Sequence, residues 1–177
     1  MYDMAFLLPT PWAVAQQFVA DFDIIMIGLA QTFTAAFLGY IIAALLGISV
    51  ATIMSLSKIL ERSLYPYAIL LQTVPIVAVA PLIVLWFGFE IKNIIIISVI
   101  IALFPIINNT LLGLKSTNTT LVEMFNYHKT NKFSTFYKLR FPAAIPNIFA
   151  GLKISAGLSV IGAIVGEFII GSGSEEG

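Results

Sequence analysis

Of the 177 residues, 59% are hydrophobic and only 10% charged, and mean hydropathy is +1.00. Soluble domains run at about 45–50% apolar and about 25% charged, so this composition excludes an ordinary soluble enzyme, a disordered segment and a nucleic-acid binder. Nine basic residues balance nine acidic ones, no cysteine is present, and the lone histidine is His128. These counts exclude a field that gathers polyanions, any thiolate chemistry and a multi-histidine metal site. No metal and no cofactor is expected.

A bilayer-spanning helix needs about 20 nearly uncharged apolar residues. Residues 1–23 do not qualify. Pro9 and Pro11 break the apolar run, and Trp12 to Phe22 has the make-up of a short interfacial helix, so this stretch is an outer-side lead-in to the main unit, residues 24–177. The first uncharged run extends from Ile24 to about Leu56, longer than one crossing requires, which predicts tilt, bending or emergence from the lipid. The second runs from about Leu64 to Phe87 and the third from about Ile94 to Leu114. The fourth runs from near Ile148 to near Ile170, with Lys153 close to one end and Glu167 close to the other. All four are continuous rather than alternating, which predicts helices and not barrel strands. The expected fold is an all-α, polytopic membrane bundle. Trp86 and Tyr65/Tyr67 fall near the two ends of the second run, where interfacial aromatics belong.

If each run crosses once, one side collects Lys58, Arg62, Lys115, Lys129, Lys132, Lys138, Arg140 and Lys153, and the other holds only Lys92. Eight against one makes the basic side cytoplasmic, with both ends of this chain outside. The longest internal polar segment, about 115–142, then lies in the cytoplasm. Within it Leu121, Val122, Met124 and Phe125 sit among polar residues, and Phe133, Phe136 and Tyr137 follow at i, i+3, i+4. This is amphipathic helical material outside the bilayer, which must cover either the protein's own helix ends or a groove on a partner. Phe141-Pro-Ala-Ala-Ile-Pro146 closes the segment, and two prolines four residues apart predict a rigid turn into the last helix.

Several features remain open on residue chemistry alone. Gly39 and Gly47, and Gly162 and Gly166 as a GxxxG pair, suit close helix packing, within one subunit or between subunits. Pro75, Pro81 and Pro105 each free a backbone carbonyl, so Gln72, Thr73 and Pro75 are candidates for a pathway or gate, or simply mark a kinked packing helix. Glu167 is the acid within an apolar run; it faces a polar interior or gate, or snorkels to the outer surface.

From Glu123 to Pro142 the chain resembles the cytoplasmic Glu-Ala-Ala loop of permease subunits in binding-protein-dependent ABC importers. The family pattern is Glu-Ala-Ala, three residues, Gly, nine residues, Ile, one residue, Leu-Pro. Glu123 takes the Glu, Leu139 the Ile, Phe141 the Leu and Pro142 the Pro, without a gap. Met124 and Phe125 stand at the two Ala positions and Lys129 at the Gly. Pro142-Ala-Ala-Ile-Pro146 with Gly151-Leu-Lys-Ile is similar to the nitrate/taurine/sulfonate branch. So are Leu8-Pro-Thr-Pro11, Leu71-Gln-Thr-Val-Pro75, Pro81-Leu-Ile-Val-Leu-Trp-Phe-Gly88 and Gly166-Glu-Phe168.

The resemblance implies the type I importer permease fold, a site in the bacterial plasma (inner) membrane, and a role in transport rather than catalysis. It implies four partners besides the lipid bilayer: a cytoplasmic ABC ATPase, an external solute-binding protein, a second permease copy and a small solute. Leu121, Glu123, Met124, Phe125, Lys129, Phe133 and Pro142 would belong to the ATPase-coupling loop. Glu123 would bond a basic group on the ATPase or cap a helix start. Family members carry a further helix on each side of the matched region, so these residues are expected to be part of a longer permease. No GxxxxGK[ST] phosphate loop occurs in the chain, so ATP must be handled elsewhere. An ion-coupled transporter or channel using Glu167, and a non-transporting degenerate permease, are the competing readings.

Overall fold

The computed structural model describes residues 10–88, 90–128 and 130–174. Among them the order is α1 (Pro11–Ala20), α2 (Phe22–Leu56), α3 (Lys58–Thr73), α4 (Ile76–Phe87), α5 (Ile91–Lys115), α6 (Thr119–Tyr127), α7 (Lys132–Thr135), a π-helical turn (Phe136–Arg140) and α8 (Phe141–Ser174). No strand occurs among the described residues. Three segments are long and apolar enough to cross a membrane: Phe22–Leu56, Ile91–Lys115 and Phe133–Gly171. Only 28–44% of their most apolar stretches is buried, so most of that surface is left for lipid or a partner.

Helix α5 is the centre. It packs along α8 and α2, with α2 parallel to it and α8 antiparallel. Ala51 and Met54 of α2 meet Ile107 and Leu111 at one end, and Ala35 and Ala36 meet Ile94 and Ala163 at the other. Small residues set the spacing. A Cβ added at Gly39 or Gly162 would fall 2.5 Å from Ser98 Oγ or 2.6 Å from Ser98 Cα, at Gly47 2.8 Å from Ile106, and at Gly166 3.1 Å from Ile94. All four candidate packing glycines therefore touch α5 within one subunit. Gly113 and Gly151, with Cβ clearances of 2.8 and 2.9 Å, complete the α5–α8 seam at its inner half. Two hydroxyls tie the seam: Ser98 Oγ donates to Ser159 O at 2.8 Å and Ser155 Oγ to Ala102 O at 2.6 Å.

The second apolar run is not one straight helix. α3 and α4 are bent by 97° at Val74–Pro75. Pro75 offers no N–H to Leu71 O and forces Val74 out of helical geometry, to ψ 122°. The pair nonetheless carries the chain across. Lys115 Nζ donates to Glu61 Oε1 at 2.7 Å, fixing the start of α3 at the inner end of α5. At the other end the Asn93 amide donates to Gly88 O, fixing the end of α4 at the outer end.

The expected rigid turn at Pro142 and Pro146 is absent. Both prolines lie inside the long helix, at its start and second turn. The π-helical turn explains this. Phe141 N donates five residues back to Phe136 O, and this wider turn accommodates the proline that follows. The final helix accordingly begins earlier than near Ile148 and runs as one 39-residue rod, about 58 Å long at 1.5 Å per residue. A core of about 30 Å leaves its N-terminal part outside the lipid.

Candidate coupling and translocation site

The basic end of the bundle carries the loop. After α5, Asn118 starts α6: its Oδ1 accepts from Thr120 N at 2.9 Å. Glu123 lies in the middle of α6 and so does not cap it; Asn118 does. Asn131 starts α7 in the same way, accepting from Phe133 N through Oδ1 and from Thr135 N through its carbonyl. The loop's apolar residues then divide. Phe136 turns inward against Phe141 and the buried cluster Leu114, Ala144 and Ile148, joining the inner ends of α5 and α8. Leu121 and Met124 on α6 are 43% and 50% exposed, and Phe133 and Tyr137 are stacked on each other and 73% and 65% exposed. Phe125 is half-buried. Lys129 lies outside the described residues.

A cleft of about 650 Å³ opens beneath the bundle, between the start of α3, the end of α5, and α6. Lys58, Arg62, Lys115 and Arg140 line it together with Glu61 and Glu123. Lys115 pairs with Glu61, and Glu123 makes no ion pair among the described residues. Glu123 is thus an exposed carboxylate at a basic rim, free to bond a partner group.

The remaining candidates lie elsewhere. Gln72, Thr73 and Pro75 are exposed at the α3–α4 elbow, where Thr73 Oγ1 reaches back to Leu70 O at 3.3 Å. Glu167 is half-buried near the outer end, and Thr32 Oγ1 on α2 lies 2.8 Å from its Oε2. It ties α2 to α8 instead of pointing to open solvent. Asn108 and Asn109, in the inner half of α5, are internally bonded: Tyr65 OH donates to Asn108 Oδ1 and Asn109 Nδ2 to Pro105 O. The largest departure concerns Lys153. Gly151 meets Pro105 and Ser155 bonds Ala102, so Lys153 sits level with the middle of α5 and not at a helix end. Sequence position alone carried no signal of this depth, which depends on the register between two helices.

A helical bundle of several apolar spans, with a short amphipathic helix at its basic end, is the architecture of a multi-pass membrane protein. Residues 43–175 match the family described as binding-protein-dependent transport system inner membrane component, and the chain belongs to that family. It is similar to the formylaminopyrimidine transport permease protein ThiX of Halalkalibacterium halodurans, 35% identical over the whole chain and 70% of that protein. It is also similar to the riboflavin transport system permease protein RibX of Chloroflexus aurantiacus, 31% identical over 94% of the chain and 63% of the relative. The nitrate import permease protein NrtB of Leptolyngbya laminosa is 32% identical over 75% of the chain and 48% of its own length. The chain thus spans about half to 70% of these relatives. It is a permease subunit of an ABC importer in the nitrate/sulfonate branch, a multi-pass plasma-membrane protein and not itself an enzyme. Its family works with an ATPase and a solute-binding protein on separate chains.

Proposed function

We propose that this chain, paired with a second permease copy, forms the translocation pathway for a small polar solute and is driven through α6 by the ATPase. The observation that carries this reading is the split of the cytoplasmic loop. Phe136 is folded into the bundle, whereas Leu121 and Met124 stand about half exposed on a short helix, outside the hydrophobic clusters of the described residues. An amphipathic helix with exposed anchors suits a groove on a partner. Glu123, on the same helix, would take a charge-assisted bond from a basic group on the ATPase, and Phe133 would extend the contact along the rod. Closure of the ATPase dimer would displace α6, and the Phe136 cluster would pass that displacement to α5 and α8 together.

Gln72, Thr73 and Pro75 at the elbow are proposed as the gate. A proline break in a membrane segment is tolerated where neighbouring helices or a wet cavity satisfy the freed carbonyls, and Gln72 and Thr73 supply uncharged hydrogen-bonding groups there. The cargoes named for the relatives run from formylaminopyrimidine and riboflavin to nitrate, and the proposal places selection among such solutes chiefly in the binding protein.

The test is reconstitution of the complete importer in proteoliposomes with its ATPase and binding protein. Uptake is expected to require ATP. Leu121→Asp with Met124→Asp is expected to abolish both uptake and co-purification of the ATPase, without lowering the permease's melting temperature. Uptake that persists on a proton gradient after ATP is removed would sink the reading in favour of an ion-coupled carrier.

A further inference from the structure

We propose that Lys153 lines the water-filled translocation path and draws solute groups bearing negative charge to the middle of the membrane. This deepens the reading above, in that it rests on a path lying against α8. The argument begins with depth. On α5 the charged residues Lys92 and Lys115 bracket 22 uncharged ones, 93–114, about 33 Å of helix. A hydrocarbon core of about 30 Å must fit within that stretch, so its midplane lies close to residues 103 and 104. The contacts of Gly151 with Pro105 and of Ser155 with Ala102 place Lys153 at that level.

Direction follows from helix geometry. Gly151, Ser155, Ser159, Gly162 and Gly166 all face α5. Lys153 lies two residues from both Gly151 and Ser155, about 200° around the helix, and its side chain is exposed. It therefore points away from its own bundle. The headgroups are about 15 Å distant from the midplane, beyond the reach of a four-carbon stem, so snorkelling does not solve its solvation. No carboxylate pairs with it among the described residues. Membrane-embedded cations of this kind face a bundle interior or a water-filled cavity, and this one faces away from the helices described. On the reading above, that cavity is the path between permease copies. Gly157, one turn further along α8, presents no side chain there, and a Cβ added to it would meet no atom within 4 Å. Among the described residues, therefore, nothing covers α8 beside Lys153 at this position.

The 177 residues contain no cysteine, so a cysteine introduced among them is the single thiol of this stretch, and it is read out in the assembled importer in proteoliposomes after thiols elsewhere are replaced by serine. Gly157→Cys reports on the space next to Lys153. An anionic sulfonate-bearing methanethiosulfonate should modify it about tenfold faster than the cationic trimethylammonium analogue, since a local charge in a low-dielectric cleft raises on-rates by that order. Gly157→Cys combined with Lys153→Gln should lose the preference while staying reactive to both. Two results overturn the proposal: modification only by a membrane-permeant maleimide, which puts the position in lipid, or an anion preference that survives Lys153→Gln. Labelling needs no turnover, so it can fail while ATP-driven uptake stands; conversely, an importer that takes up no solute with ATP defeats the functional reading and leaves the labelling result intact.

Discussion

Gly162→Ala is the sharpest test of how the bundle is held. Ser98 on α5 lies between Gly39 of α2 and Gly162 of α8, so three helices converge on one small residue. A Cβ at position 162 would stand 2.6 Å from Ser98 Cα, where an ordinary contact begins at 3.4 Å, and the atom it meets is backbone and unable to rotate away. The seam must open by about 0.8 Å. That stretches the 2.8 Å bond from Ser98 Oγ to Ser159 O past hydrogen-bonding range. Overpacking costs about 1–3 kcal/mol and the lost bond about 1 kcal/mol, while the better helix propensity of alanine returns about 0.5–1 kcal/mol. The net loss is about 1–3 kcal/mol, or roughly 3–10 °C in melting temperature for a chain of this size. Gly157→Ala is the matched control, because no atom lies within 4 Å of its Cβ position and only the propensity gain applies. Thermal unfolding of both variants in detergent decides the matter. Equal melting temperatures for Gly162→Ala and the parent, or an equal fall for Gly157→Ala, would refute the packing argument.

Three further outcomes are expected. Phe136→Ala, which removes the ring joining Phe141 to the Leu114–Ala144–Ile148 cluster, should cost about 1–3 kcal/mol and reduce ATP-driven uptake while the ATPase still co-purifies; loss of the ATPase instead would mean that Phe136 is a docking residue. Thr32→Val, which deletes the hydroxyl 2.8 Å from Glu167, should destabilise by about 0.6–1 kcal/mol, and an unchanged melting temperature would place the Glu167 carboxylate elsewhere. For Glu61 and Lys115, 25% and 52% exposed at the side chain, a double-mutant cycle should return about 0.2–1 kcal/mol that shrinks in high salt; a larger, salt-insensitive coupling would show the pair to be shielded from water.

The spans and their order were legible because each needs a long uncharged run, and composition records that directly. The elbow was hidden for the same reason. Apolar character continues from Leu64 through Phe87, and nothing in the run distinguished Pro75, where the chain bends, from Pro66 and Pro81, which lie inside helices. Pro142 and Pro146 misled in the opposite direction. Proline chemistry predicts interruption, but a π-helical turn ahead of Pro142 absorbs the misfit and the rod continues. Asn118 outcompeted Glu123 as the cap of α6 because a short side chain just before a helix reaches its free N–H groups, whereas a glutamate four residues into the helix is on the wrong turn. The convergence of Gly39 and Gly162 on Ser98, and the depth of Lys153, are facts of register between helices that no single run of residues encodes.

These packing details constrain where the molecule can move. From Gly113 at the inner end to Gly166 at the outer end, α5 and α8 meet with no room for a methyl group, and two hydroxyls pin them across the seam. Sliding one past the other would force backbone through backbone, so the two helices respond to a push at α6 as one body. The α3–α4 elbow is built differently. Its turn is exposed at Gln72, Thr73, Val74 and Pro75, while α4 packs on the bundle through Ile76, Val79, Ala80 and Ile83 around Ile97. On the proposed mechanism, a displacement delivered at α6 would leave the α5–α8 rod intact and be taken up at the elbow and along the faces proposed to meet a second copy. The face carrying Lys153 is proposed as one of those, so the rod that would receive the push would also carry the charge proposed to meet the solute.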